Sequence, residues 1–243
     1  MSQKEHILFV GAHCGDVELA AGAIAHKYSR AGHPVTFLHL TAGEKGTPPH
    51  LSVEEYRYQK INESEVAADI LGVKTMTLDY NDAELKMDES TALRVATLFR
   101  KLKPDLIITH WTESIHPDHA ACPKIVEEAW LKAALPGFDL AGFPSHGIRQ
   151  VFHSENWEDP HYEPDIYVDV SEEFETYLKA ISSYWFVMNS GSFRYYDYYK
   201  ALGTTRGCLN RTTYAQTLKY RVGTNIHKGF DIPGFPLTKK ELP

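Results

Sequence analysis

Cysteine is scarce in this chain of 243 residues. Cys14, Cys122 and Cys208 are far apart and odd in number, and no Cys-x-x-Cys pair occurs. A zinc ribbon and a disulfide framework are both excluded. Long apolar runs are missing too. The longest, such as Ile7–Ala12 and Leu106–Thr109, have the length of strands and fall well short of a bilayer. Positive charge is in deficit, with 25 Lys and Arg against 32 Asp and Glu and a formal net charge of -7. That field repels nucleic acid and anionic membranes, and no basic stripe overrides it. No nucleic-acid or membrane partner is therefore expected. Gly11 and Gly15 do not complete a Gly-x-Gly-x-x-Gly fingerprint, and no Gly-x-x-x-x-Gly-Lys-Ser/Thr loop occurs. Nucleotide binding would rest on fold alone. The polar start, Met1–Glu5, runs straight into an apolar stretch without a signal-peptide pattern, so a cytoplasmic location is expected.

What is present is an ordinary globular composition, 43% hydrophobic and 23% charged, in a chain long enough to bury a core unaided. Apolar runs ended by turn residues predict strands over 6–11, 35–40, 75–78 and 105–109. Helical spacing predicts helices over 17–32, 53–71, 90–102 and 118–134, with Gly32 and Gly72 at two of the ends. This alternation predicts an α/β fold: a Rossmann-like, doubly wound, mostly parallel sheet flanked by helices. From Leu135 the pattern changes. A Gly/Pro-rich loop over 136–145 precedes expected strands at 150–153 and 166–170 and a helix over 171–186, N-capped by Ser171. The simplest organisation is one domain, 1–243, with the Rossmann-like core in 1–134 and a C-terminal α/β extension in 135–243.

Thirteen histidines direct attention to metals. His13 and Asp16 follow the first strand; His116, Asp118 and His119 follow the 105–109 strand. In doubly wound sheets ligands bind beyond the carboxyl ends of strands, and both clusters lie there. Together His13, Asp16 and His119 would make an N2O set, three protein ligands with one position open for water or substrate. Asp118 is placed to orient an imidazole through the nitrogen not used in chemistry. Each residue also has a plain structural use. Asp16 can N-cap the following helix, and His116-Pro117-Asp118-His119 can be a turn entering a helix with Pro117 at its first position.

Gly11-Ala12-His13-Cys14-Gly15-Asp16-Val17-Glu18 resembles the Ala-His-Pro-Asp-Asp-x-Glu signature of the PIG-L/LmbE-like deacetylases, zinc-dependent N-acetylglucosaminide deacetylases. His116-Pro117-Asp118-His119 matches their second signature. Leu40–Gly46 resembles their Thr-x-Gly-Glu loop and Ala67–Val73 their Ala-Ala-x-x-Leu-Gly-Val helix end. The resemblance is strong over residues 5–130 and thinner from 165 to 216. It implies Zn2+, or another divalent metal, on His13, Asp16 and His119. It implies His116 as the oxyanion stabiliser or the acid for the leaving amine, held by Asp118. Lys60 stands where relatives carry a substrate-binding Arg, Asp82 matches an acidic residue that meets sugar hydroxyls, and Glu44 lies on the substrate-side loop. The implied substrate is an N-acetylglucosamine-type amino-sugar conjugate.

Gly15 departs from that pattern, because the family places there the Asp that activates water, and Cys14 replaces a proline. Losing a positioned base costs about 10²–10⁴-fold in rate. Three readings stay open: another carboxylate, Glu44 or Glu155, enters the site; the substrate needs no such base; or the protein binds a ligand without efficient turnover. If the base is merely missing, Gly15→Asp should raise activity. Cys14 is read as a small residue packed in a turn. Trp157 and the carboxylates of Ser154–Asp159 read equally as a sugar-facing wall or a surface turn. Tyr184, Trp185, Tyr195, Tyr196, Tyr198 and Tyr199 resemble a saccharide-stacking set, but at helical spacing such residues are more often core and interface packing, which suits a homo-oligomer. Arg194, Arg206 and Arg211 are candidates to meet a substrate anion.

Overall fold

The computed structural model describes residues 4–221. Strand β1 (Ile7–Gly11) is an unbroken apolar run and is buried along its whole length, as a central parallel strand must be. Ile7 and Phe9 face one apolar core, while Leu8 and Val10 face a second. On either side of β1 lie β2 (Val35–Thr41) and β4 (Leu106–His110), both parallel to it. Outward from these run β3 (Lys74–Tyr80) and β5 (Gln150–Ser154), parallel in turn to their neighbours. Beyond β5 the direction reverses: β7 (Ala215–Tyr220) pairs antiparallel with β5 and with β6 (Ile166–Asp169). The sheet order is β3-β2-β1-β4-β5-β7-β6. This is the mixed α/β sheet the alternation predicts, with an antiparallel edge added by the C-terminal segment.

Helices α1 (Asp16–Arg30), α2 (Val53–Leu71) and α5 (Phe174–Ile181) cover one face; α3 (Glu89–Leu102) and α4 (Pro117–Ala134) cover the other. Helix α2 has the expected bounds. Its start carries a capping box between Ser52 and Glu55, and Gly72 ends it with φ 70°, donating to the carbonyls of Ala68 and Asp69. The Gly/Pro-rich loop after α4 is fastened by buried Arg100, whose guanidinium donates to the backbone carbonyls of Lys132, Ala133, Leu135, Phe138 and Phe143.

One structural alternative falls away and two expectations need correction. Gly15, not Asp16, is the N-cap of α1. The single helix over 171–186 is two: α5 ends at Ile181, and α6 (Trp185–Asn189) starts after a turn. The Ser182 and Ser183 hydroxyls donate back to the carbonyls of Leu178 and Ala180, competing with the helical ladder. The Tyr184 hydroxyl is drawn into the core onto Glu18 Oε1 at 2.6 Å. Ser171 does not cap α5. Its hydroxyl accepts from the N–H groups of Thr213 and Tyr214 and so ties β6 to the approach of β7. The Tyr- and Arg-rich stretch from Phe193, to which the sequence assigned no element, forms helix α7 (Tyr195–Asn210) followed by β7. Among the described residues no helix is long and apolar enough to cross a membrane.

Candidate active site

The carboxyl ends of β1, β2, β4 and β5 share one edge of the sheet, and a cavity of about 290 Å³ opens there. His13, Asp16, Asp82, His116, His119 and Glu158 supply its titratable wall, with Lys60. Tyr56, Trp157, Phe186 and Tyr195 supply its aromatic wall.

The His13–Asp16 turn is set by its own backbone. The His13 N–H donates to Asp16 Oδ2 at 2.7 Å, and the Gly15 N–H donates to Glu18 Oε2 at 3.1 Å. Glu18 is fully buried. It faces His39 Nε2 at 3.1 Å and accepts from the Tyr184 hydroxyl, so a buried ion pair underpins the turn. Gly43, with φ 77°, lets the loop after β2 close over His13: a Cβ there would stand 2.7 Å from His13 Cβ. On the other side, His116 N-caps α4 with Pro117 as its first helical residue. His116 Nδ1 accepts the Asp118 N–H at 3.2 Å.

His13 Nδ1, His119 Nε2 and Asp16 Oδ2 converge. The two nitrogens are 2.9 Å apart, and each lies 3.2 Å from the carboxylate oxygen. The nitrogens that point away are held by carboxylates. His13 Nε2 meets Asp82 Oδ1 at 3.1 Å and Asp118 Oδ2 at 3.2 Å, and His119 Nδ1 meets Glu158 Oε1. Burial opposes charge on both imidazoles, but the carboxylates outweigh it. His119 is raised to about 9 and His13 well above its ordinary value. Asp16 is held well below the usual carboxylate range by His119 and His13, against its own burial. Two imidazole nitrogens and one carboxylate oxygen at this spacing, inside a ring of further carboxylates, suit a divalent cation.

His110, at the end of β4, competes for the same place: His110 Nε2 is 3.2 Å from Asp16 Oδ2. Its lone pair is already engaged, because Nε2 accepts the Ala12 N–H at 3.0 Å. Burial and the neighbouring His119 lower its pKa to about 4, so the ring is neutral. It stacks on His119 at 4.5 Å and buttresses that ring from behind.

The structure brings His13, Asp16, Lys60, Asp82, His116 and His119 to the cavity. Asp118 sits beside it, but its carboxylate contacts His13 and the N–H groups of Ala83 and Leu85. The resemblance implied that this carboxylate would hold His116; the Asp118 backbone N–H does so instead. Asp82 spends Oδ1 on His13 and Oδ2 on the Lys45 N–H, so both oxygens have protein partners. Glu44 is turned away, accepting from Arg57 and from the Asp82 N–H. Glu155 is bound by Arg206 and by the Thr217 hydroxyl. Neither Glu44 nor Glu155 lines the cavity, so neither takes the place left by Gly15. Arg194 pairs with Asp197, and neither Arg206 nor Arg211 reaches the cavity. Cys14 is buried, with Sγ 3.4 Å from Thr77 Oγ1. Trp157 does line the cavity, with Phe193 stacked on it at 4.3 Å. Local reading missed His110 and Phe186, and it placed Glu158 only among the carboxylates of a possible sugar-facing wall, not on His119. Glu158 lies in the same short segment as Glu155, and its direction is set only by the turn after β5.

Gly15 has φ 105°, and a Cβ there would lie 2.9 Å from Phe186 Cζ. The space where a side chain would leave the turn is thus occupied by an aromatic wall. Gly15→Asp is expected to destabilise the protein by about 1–3 kcal/mol and to leave turnover no higher than the parent's. A thermal melt and a turnover assay check this. Turnover above the parent's would mean that Phe186 yields and a base was all the site lacked.

Residues 8–130, half of the chain, match the family model described as PIG-L, GlcNAc-PI de-N-acetylase. The chain belongs to the PIG-L family. It is 26% identical over 231 residues to a diacetylchitobiose deacetylase of Thermococcus kodakarensis, covering 91% of this chain and 85% of that one. It superimposes with TM-score 0.82 and 21% identity on GalB, the 4-carboxy-2-hydroxymuconate hydratase of Pseudomonas putida, covering 93% of this chain and all of that one. With TM-score 0.81 and 22% identity it matches an N,N'-diacetylchitobiose deacetylase of Pyrococcus horikoshii, covering 89% and 84%. These PIG-L relatives are enzymes, and so is this chain.

Proposed function

We propose that this PIG-L protein hydrolyses a C–N amide bond, removing the acetyl group of an N-acetylglucosamine-type conjugate at a zinc site formed by His13, Asp16 and His119. The observation that carries the reading is the convergence of His13 Nδ1, His119 Nε2 and Asp16 Oδ2, with both outward nitrogens tied to carboxylates. Bound there, zinc would polarise the acetyl carbonyl and acidify a water molecule. The chain's own groups do the rest. His116 Nδ1 accepts the Asp118 N–H, so the neutral ring carries its proton on Nε2 and can donate it to a developing oxyanion. Burial and the neighbouring His13 and His119 lower the His116 pKa, which favours that neutral form. Tyr56, Trp157, Phe186 and Tyr195 give apolar faces on which a sugar ring can lie. Lys60 offers an ammonium at the cavity wall, over the Phe186 ring at 4.4 Å.

A second reading has its own support. Lys60 is buried and makes no ion pair among the described residues, which suits a carboxylate on the substrate. With no side chain at Gly15, water addition to an unsaturated carboxylic acid, in the manner of the hydratase relatives, is the competing reaction. Release of free amine from a panel of N-acetylglucosamine conjugates, lost on chelation and restored by zinc, is the result expected. Absence of amine release, together with loss of the ultraviolet absorbance of a conjugated unsaturated acid, would replace deacetylation by hydration.

A further inference from the structure

We propose that Glu158 aims His119 at the metal: its carboxylate accepts the Nδ1–H and leaves the Nε2 lone pair facing His13 Nδ1 and Asp16. The inference rests on the metal reading above and adds a positioning residue to it. A metal-bound imidazole is neutral and carries one proton, so the nitrogen that meets an acceptor keeps it and the other is the bare one. Glu158 Oε1 is on His119 Nδ1, while Nε2 points into the convergence of donors.

The carboxylate is itself anchored. Its Oε1 accepts the Ser114 hydroxyl at 2.8 Å, and Ser114 Oγ accepts the His116 N–H at 3.1 Å. One carboxyl group therefore links the metal-facing imidazole to the loop that carries the second cavity histidine. The turn that presents Glu158 is fixed as well. The Asn156 N–H donates to Asp159 Oδ2 at 2.7 Å, and the Tyr199 hydroxyl of α7 donates to Asn156 Oδ1. The Glu158 side chain is only 4% exposed, so water competes little for its oxygens. His13 shows the same arrangement independently, with its outward nitrogen on Asp82 and Asp118. An Oε1 already shared between two donors is suited to orienting a ligand.

The test is the zinc dissociation constant of the intact protein, measured by competition with a chromophoric chelator, in the parent, Glu158→Gln and Ser114→Ala. Glu158→Gln should bind zinc about 10–100-fold more weakly, and its cobalt(II) derivative should show an altered visible absorption band. Its kcat should return toward the parent's at saturating zinc. Ser114→Ala should weaken binding in the same direction by less, and it carries the test if Glu158→Gln does not fold. Parent-like affinity and cobalt spectrum in both variants would overturn the role of Glu158. So would normal affinity with kcat lost, which would place Glu158 on the substrate. A parent protein that binds no zinc would instead remove the metal reading itself.

Discussion

His119→Ala is expected to lose bound zinc and amide hydrolysis together. His119 contributes one of the three atoms that converge at the cavity floor, and its other nitrogen carries the contact to Glu158. Removing an outer partner of a metal ligand costs about 10–100-fold in affinity. Removing the ligand itself should cost well beyond that, leaving two donors and a Glu158 carboxylate held only by Ser114. Metal content after gel filtration and amine release from the same sample read both losses. The fold should survive, because the cores on the two faces of the sheet do not include this side chain. A folded His119→Ala protein that still carries a full complement of zinc would contradict the assignment.

The second large effect falls on His116. His116→Ala should keep zinc and lose about 10²–10³-fold in kcat, the cost of one oxyanion donor. That variant also removes an N-cap, worth about 0.5–2 kcal/mol, so a fall in stability is expected alongside. His116→Asn separates the two effects. Its side-chain oxygen can still accept the N-terminal N–H groups of α4, while the donor on the cavity side is displaced. It should melt like the parent and remain slow. Unchanged kcat in either variant at full zinc occupancy would remove His116 from the reaction.

Much of this site was legible in the chain because doubly wound topology makes it so. The turns after β1 and β4 must lie at the same sheet edge, so the sequence alone brings His13, Asp16, His116 and His119 together. Strands β1 and β4 were readable because strands buried on both faces are continuously apolar. Strand β7 was not. It is inserted between β5 and β6 from far along the chain, and nothing local in Ala215–Tyr220 announces that pairing. The break between α5 and α6 was hidden for a related reason: the pull of Tyr184 onto Glu18 is a contact across 166 residues.

Partner choice was the least legible level. The family resemblance implied Asp118 on His116, yet its carboxylate reaches His13 from the opposite loop. Glu44 and Glu155 were plausible bases by loop position alone, but Arg57 and Arg206 claim them. Glu158 could not be told from Glu155 by composition. The turn fixed by Asn156 and Asp159 decides which of them faces the cavity.

The central claim is that His13, Asp16 and His119 hold a divalent metal that an amide-hydrolysing cavity uses. One purified preparation, measured for both metal content and free-amine release from N-acetylglucosamine conjugates, tests it most directly. The account predicts about one zinc per chain and amine release that disappears with the metal. No bound metal after incubation with excess zinc would contradict it.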